Sequence, residues 1–381
     1  MAMRAVRALF LIFICLSCSY VLADVRVEAV GEIKTLYSWE VDRCEAEFIP
    51  DSPARAFRRY DGKTLLLATH RENWVLEGDT LLNVQPRCRS VLRSSAYANS
   101  GLGALWIEAV YTPDGKNVYA LVSNDLTSVM LGQGCKKDGK PGRCWVNRIL
   151  AARSLDGGTN FSLEPEAKRA VATAGDDFPE GREERYGVFT TSNIFRWRDH
   201  YFTFVWRGSA GRTKSGNCLL RNADPSKPHE WLGWDGRQFS IKSAEKGAIL
   251  DCAIVAPKEL VGEVRSVIFD KKSGMWIAAF SGRLNVDGKV TTGFYYSVSK
   301  NLVEWSTPRL AMAAPTKPRE QQSDYFLMYP SMLDPNSKSR IYDTLDGDQP
   351  VMFFTKQHLL HGRGTMKRDL QFVQLRIVRS P

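Results

Sequence analysis

Four acidic side chains in this chain of 381 residues stand where chemistry could gather: Asp51, Glu108, Asp251 and Asp324. Each lies in, or shortly ahead of, a short apolar stretch, so one scaffold could hold all four at a common level. Two carboxyl groups flanking a bond, one ionised and one kept protonated by its surroundings, are the equipment for breaking an acetal linkage. Glu108 suits the proton donor, because it sits inside LWIEAVY and a carboxyl among apolar neighbours ionises late. Asp51 suits the base or nucleophile. The bland alternatives stand beside these roles: Asp51 as a turn cap between Pro50 and Pro53, Glu108 as the partner of an arginine, Asp251 and Asp324 as solvated loop acids. His70 could recognise a hydroxyl or shuttle a proton. Arg55, Arg207 and Arg283 offer bidentate forks for a carboxylate or sulfate, and Asn124, Asn193 and Tyr329 complete the substrate-binding candidates. For each of these, packing or internal pairing is the competing role.

The elements that must position them are strands. Long helical periodicity is nearly absent, whereas runs rich in Val, Ile, Phe, Tyr and Trp recur between turn signals. Five stretches repeat one unit of apolar strand, tight polar turn and apolar strand: 54–59 with 64–69, 104–111 with 118–123, 191–197 with 201–206, 264–270 with 275–280, and 328–333 with 351–355. Their turns fall near 61, 115, 199, 273 and 347, and the intervals leave room for two further strands each. The expected fold is all-β, a five-bladed β-propeller of four-stranded antiparallel blades, with residues 24–381 as one domain. Leftover strands at 33–39 and 372–378 are expected to pair and close the ring, which removes an exposed sheet edge. In such a ring the ligand mouth is lined by the starts of the innermost strands and the exits of the second strands. That geometry selects Asp51, Glu108, Asn193 and Tyr329 from the first set, His70, Asn124, Arg207 and Arg283 from the second, and Asp251 and Asp324 from the loops leading into the last two blades.

Short motifs carry a resemblance. RSLDGGTNF at 153–161 resembles the Asp box of sialidases and other propeller proteins, in which the aspartate accepts backbone N–H groups of a hairpin and does no chemistry. SVSKNLVEWS at 297–306 resembles the S-x-D-L-x-x-W-S element of five-bladed glycoside hydrolases of families 43 and 32, with Asn301 in the aspartate's place. YPSMLDP at 329–335 and FIPDSPARAF at 48–57 resemble segments of secreted relatives of those enzymes. The resemblance implies a glycosidase acting on an extracellular polysaccharide or oligosaccharide, with Asp51 at the place of the family's base or nucleophile. The context of Asp51 departs from the family pattern. A non-catalytic carbohydrate- or partner-binding propeller is the alternative. A sialidase-like hydrolase, with Tyr329 as the tyrosine, is a lesser one, because the Arg of the usual Tyr/Phe-Arg-Ile-Pro motif is missing from Phe48-Ile49-Pro50. A channel calcium ion occurs in some related hydrolases, but nothing in the sequence indicates one, and no cofactor is expected.

Residues 1–23 read as a secretory leader, with Arg4 and Arg7, an apolar run and a small-residue cleavage site before Asp24. A lipidated Cys18 is a poorer reading. The expected location is therefore secreted or periplasmic, with no membrane insertion. Six cysteines remain, and the simplest pairing is Cys44 with Cys88, Cys135 with Cys144 and Cys218 with Cys252. No C-x-x-C spacing favours zinc. The formal charge of +10, about +8 without the leader, suits an anionic carbohydrate partner. No Lys/Arg run marks a nucleic-acid face, and a monomer is expected. G-x-S-x-G, H-E-x-x-H and phosphate-loop patterns are absent from the sequence, and the glycine-rich GQGCKKDGK lacks a following helix.

Overall fold

The computed structural model describes residues 25–127, 136–137, 140–141, 145–173, 175, 185–208, 214–244, 250–318 and 323–380. The expected leader and the expected Cys135–Cys144 pair lie outside the described residues. Strand dominates, and helix is confined to short segments at Trp39–Asp42, Ser94–Ser100 and Pro228–Glu230 among the described residues. No helix there is long and apolar enough to cross a membrane.

The chain runs as successive antiparallel meanders. Arg55–Arg58, Thr64–Leu67, Glu72–Thr80 and Asn83–Arg93 form one four-stranded sheet in chain order. Ala104–Tyr111, Val118–Thr127 and Trp145–Ser154 follow, edged by Ser162–Leu163 and Ala170–Ala172. The next meander starts with Arg185–Thr191 and Phe195–Trp197, both on His200–Arg207, and continues through Gly216–Asn222, Leu232–Trp234 and Phe239–Lys242. A three-residue parallel contact, Trp145 to Asn147 against Arg185 to Gly187, fuses these two meanders into one eleven-stranded sheet. Ser266–Asp270, Met275–Val286, Lys289–Ser299 and Arg309–Ala313 come next, with Thr344–Leu345 added in parallel. In the last sheet Tyr325–Leu333, Val351–Leu360 and Arg363–Arg379 are completed by the amino-terminal strand Val25–Tyr37.

That terminal pairing matches the expectation, with Lys34 opposite Phe372 and Val25 opposite Arg379. It covers the Arg363–Arg379 edge of the closing sheet with a strand from the other end of the chain, and Val25–Tyr37 becomes the edge strand. The buried clusters explain the strand sequences. Val351 to Phe354 and Thr64 to Leu67 are buried at every position, because sheets cover both their faces and no alternation is required. One cluster joins the first sheet to the eleven-stranded sheet, a second joins the far half of that sheet to the Met275–Val286 sheet, a third joins the latter to the closing sheet, and a fourth joins the closing sheet back to the first. Sheet therefore packs on sheet around a circuit, in a β-propeller-like arrangement.

Side-chain amides fasten neighbouring sheets. Asn73 donates to the Leu92 and Leu105 carbonyls and accepts the Ile107 N–H, and Asn217 does the same with Leu260, Gly262 and Val264. The motif aspartate Asp156 holds a turn: its Oδ1 accepts the N–H groups of Thr159 and Asn160, both at 3.0 Å, and its Oδ2 accepts the Asn160 amide. Asn301 does likewise for Val303 and Glu304, where Leu302 takes the left-handed conformation with φ 67°. Disulfides join Cys44 to Cys88 and Cys218 to Cys252, with Cα separations of 5.3 and 5.8 Å.

The third repeated unit is where expectation and structure differ. The innermost strand is Arg185–Thr191, and Phe195–Trp197 is a short continuation. Asn193 therefore lies in the connection between the two, not at a strand start. Gly187 reads as a breaker but is required: at φ 106°, a Cβ there would stand 2.1 Å from the Asn147 carbonyl oxygen.

Candidate active site

One buried guanidinium shows where the innermost strands meet. Arg55 has five N–H groups, and each is engaged. Nε donates to the Glu108 carbonyl, Nη1 to the Ala54 carbonyl and the Ser331 hydroxyl, and Nη2 to the carbonyls of Thr191 and Arg265, at 2.7 to 3.2 Å. These acceptors come from the leading strand or strand approach of every meander in turn. Burial at 2 % exposure lowers the Arg55 pKa to about 9, so it remains a cation at neutral pH. The expected substrate fork is instead an axial tie with no N–H left for a ligand.

Beside this hub, three of the leading strands carry irregularities at one level. Residue 108 is an extra residue between Ile107, opposite Val122, and Ala109, opposite Leu121. Thr190 is extra between Phe189 and Thr191, and Tyr329 with Pro330 interrupts the pairing between Met328 and Ser331. Thr190 and Tyr329 also have positive φ, 55° and 60°. Bulges and left-handed non-glycine residues cost free energy, and they re-aim side chains that a regular strand would send elsewhere.

The re-aimed Tyr329 donates its hydroxyl to Asp51 Oδ1 at 3.0 Å, and Arg368 pairs with the same oxygen. Asp51 Oδ2 lies 3.8 Å from His70 Nε2, beyond hydrogen-bond range. Burial raises the Tyr329 phenol well above its usual pKa, and the Asp51 charge adds to the effect. His70 lies edge-on to Trp106 with its Nδ1 3.1 Å from Glu47, which Arg71 grips with two bonds. Burial lowers the His70 pKa against the opposing pull of Asp51 and Glu47, so the neutral imidazole is favoured.

Glu108 is the second carboxyl at this level. Its Oε2 accepts the Thr191 N–H at 2.7 Å, while its Oε1 has no partner among the described residues. Burial raises its pKa, opposed first by the Arg265 charge. Arg265 connects the two acids, because its guanidinium lies 5.0 Å from the centre of the Tyr329 ring that bonds Asp51, and it also pairs with Glu263. A third acid, Asp125, stands behind. Burial pushes its pKa to about 6 despite Arg185 at 3.8 Å, and the Glu108 charge raises it further. Arg185 is fixed between the rings of Trp145 and Phe189, at 4.8 and 4.1 Å, and donates to Asn147. The arrangement is two partly free carboxylate oxygens, one on a charge-held acid and one on a buried acid, ringed by three arginines.

The other expected residues stand elsewhere. Asn124 is fully buried, donating to Ala104 and accepting from Arg148, and Asn193 makes two bonds to the Val267 backbone. Both fasten strands. Arg207 anchors the Lys214 carbonyl and the 250–252 segment, where it meets the exposed Asp251 at 3.1 Å. Arg283 and Asp324 are exposed, and no bond joins either side chain to the Asp51 and Glu108 group among the described residues. Arg185, Arg265, Arg368, Glu47 and Glu263 were not selected from the sequence, whereas Asp125 stood beside Asn124 among the expected second-strand exits. Arg265 had a usable signal, since it precedes its leading strand much as Asp51 precedes Arg55. No three His, Cys, Asp or Glu side chains group to hold a metal ion among the described residues.

No known family and no curated protein matches the chain. Solved structures do match. One belongs to the GH130 family of mannoside phosphorylases, which contains glycoside hydrolases: 9 % identical, covering 93 % of this chain and 94 % of that one, TM-score 0.49. A glycosyl hydrolase from Bacteroides ovatus is 10 % identical over 92 % and 93 %, TM-score 0.48. The α-L-arabinanase of Cellvibrio cellulosa is 12 % identical over 85 % and 90 %, TM-score 0.39. Likeness this distant assigns no activity, and the chemistry rests on the residues themselves.

Proposed function

We propose that the chain is a secreted, single-domain, five-bladed propeller that hydrolyses a glycosidic bond, with Asp51 as base or nucleophile and Glu108 as proton donor. The observation that carries this reading is the pairing of opposite environments at one level. Asp51 is held as an acceptor by a guanidinium and a phenol, whereas burial keeps Glu108 protonated to higher pH. A buried acid that holds its proton beside an acid held as an acceptor is the division of labour that acetal cleavage needs. Asp51 Oδ2 would activate water or attack the anomeric carbon, and Glu108 Oε1 would deliver a proton to the leaving oxygen. Neutral His70 would bind a hydroxyl, and Trp106 would offer an apolar face beside it. Arg185, Arg265 and Arg368 favour a sugar that carries negative charge. Asp251, Asp324, Asn124, Asn193, Arg207 and Arg283 have no part in this chemistry.

A tyrosine nucleophile, as in a sialidase-like enzyme, has the Tyr329–Asp51 bond in its favour. The raised phenol pKa weighs against it, because it makes Tyr329 a lasting donor to Asp51. The test is hydrolysis of a panel of neutral and acidic polysaccharides by the purified protein. Asp51→Asn and Glu108→Gln should each lower kcat/KM about 10²- to 10⁴-fold. Turnover unaffected by both changes would remove the assignment, and saturable sugar binding without turnover would establish the non-catalytic alternative.

A further inference from the structure

A second site stands at the opposite end of the strands that carry Thr190. Val205 lies opposite Thr191, whereas His200 lies opposite Trp197 at the turn, five residues along the same strand and thus about 17 Å away. Two cavities of about 610 and 570 Å³ open there, with His200 and Arg221 in the wall common to both. Volumes of this size hold small ligands. One is walled by Trp197, Trp234 and Phe239; the indole N–H groups of both tryptophans have no partner among the described residues. The other includes Arg221 and Lys242 with Glu230, which lies near Lys227 and His229, and the first also holds Asp199, Glu304 bonded to Asn301, and Arg198 over the Trp197 ring at 4.7 Å.

Arg221 is the decisive residue. Its guanidinium lies 4.5 Å from the centre of the Phe239 ring, is half-buried, and has no carboxylate partner among the described residues. A half-buried guanidinium that makes no ion pair of its own among the described residues keeps its fork available to an anionic ligand. Flat aromatic faces with free N–H donors suit the apolar face and hydroxyls of a sugar ring. We infer that these joined cavities form a separate binding site for an acidic oligosaccharide, with a sugar ring on Trp197 and Trp234 and its carboxylate or sulfate on Arg221. The chemistry stands independently of the Asp51 and Glu108 assignment.

The experiment is a titration of the full chain with a galacturonate pentamer, followed by tryptophan fluorescence and calorimetry, with a neutral xylose pentamer as control. The acidic pentamer should bind saturably and at least 10-fold more tightly than the neutral one. Arg221→Gln and Trp234→Ala should each weaken binding 10-fold or more, with unfolding curves run beside them to show that both fold. Asp51→Asn should leave binding at this site unchanged. Equal affinity for the neutral pentamer, binding that survives both substitutions, or binding lost only in Asp51→Asn would each overturn the inference.

Discussion

Replacing Arg55 by lysine tests the axial tie. The substitution keeps the positive charge and most of the aliphatic length but supplies three N–H donors in place of five. At least two of the five bonds to Ala54, Glu108, Thr191, Arg265 and Ser331 must then be lost in a site where Arg55 is 2 % exposed, although the Ser331 hydroxyl still serves the Ala54 carbonyl. Each hydrogen bond to a charged group contributes about 1.5–3 kcal/mol, so the loss should be about 3–6 kcal/mol. That is a large share of the ~5–15 kcal/mol by which native domains are stable. Equilibrium unfolding in urea at pH 7, extrapolated to water, reads the difference directly. Arg55→Met, which removes all five bonds, should lose more than Arg55→Lys. A loss under about 1 kcal/mol for Arg55→Lys would refute the reasoning, since it would mean that the five strands hold one another without their common donor.

Three further outcomes follow from the same geometry. Burial pushes the Asp125 pKa from its ordinary 3.8 to about 6, so the native state holds its proton longer than the unfolded chain does, and stability should fall as pH rises from about 4 to 6. Asp125→Asn should remove that fall, which is about 3 kcal/mol in stability curves measured at several pH values. If Glu108 is the proton donor, hydrolysis should be strongest where it is protonated and should decline as pH rises through its elevated pKa, and a rate that instead climbs through neutral pH would exclude it. Asp156→Ala should cost about 1–2 kcal/mol by urea unfolding with kcat/KM unchanged, and loss of turnover at full stability would show that this aspartate does more than hold a turn.

The strands were legible because their physics is local. Apolar runs bounded by Asp-Gly, Ser-Gly and Pro-Asp-Gly turns located Ala104–Tyr111 to the residue and most others within a few positions. The site was partly legible, since Asp51, Glu108, His70 and Tyr329 were selected, and of these Tyr329 bonds Asp51 while His70 lies 3.8 Å from it. The arginines around them were not selected, because Arg368 reaches Asp51 from the far end of the chain and no spacing announces a contact across 317 residues. Side-chain type also failed to separate ligand from scaffold. Arg55 and Arg185 look alike as letters, yet one is saturated by five strands while the other is stacked between two rings. The bulge at Glu108 depends on the register with Val118–Thr127, which a single strand's sequence does not contain.

The union of Val25–Tyr37 with Arg363–Arg379 has a consequence for biosynthesis. The first strand to leave the ribosome must wait for the last one, and at ~5–20 residues per second that delay is tens of seconds. During this interval Val25–Tyr37 has no strand to pair with. A permuted gene that joins the two ends and opens the chain at the exposed Asp61–Gly62 turn would make the slow partner a neighbour, and should shorten the window in which the nascent protein can aggregate.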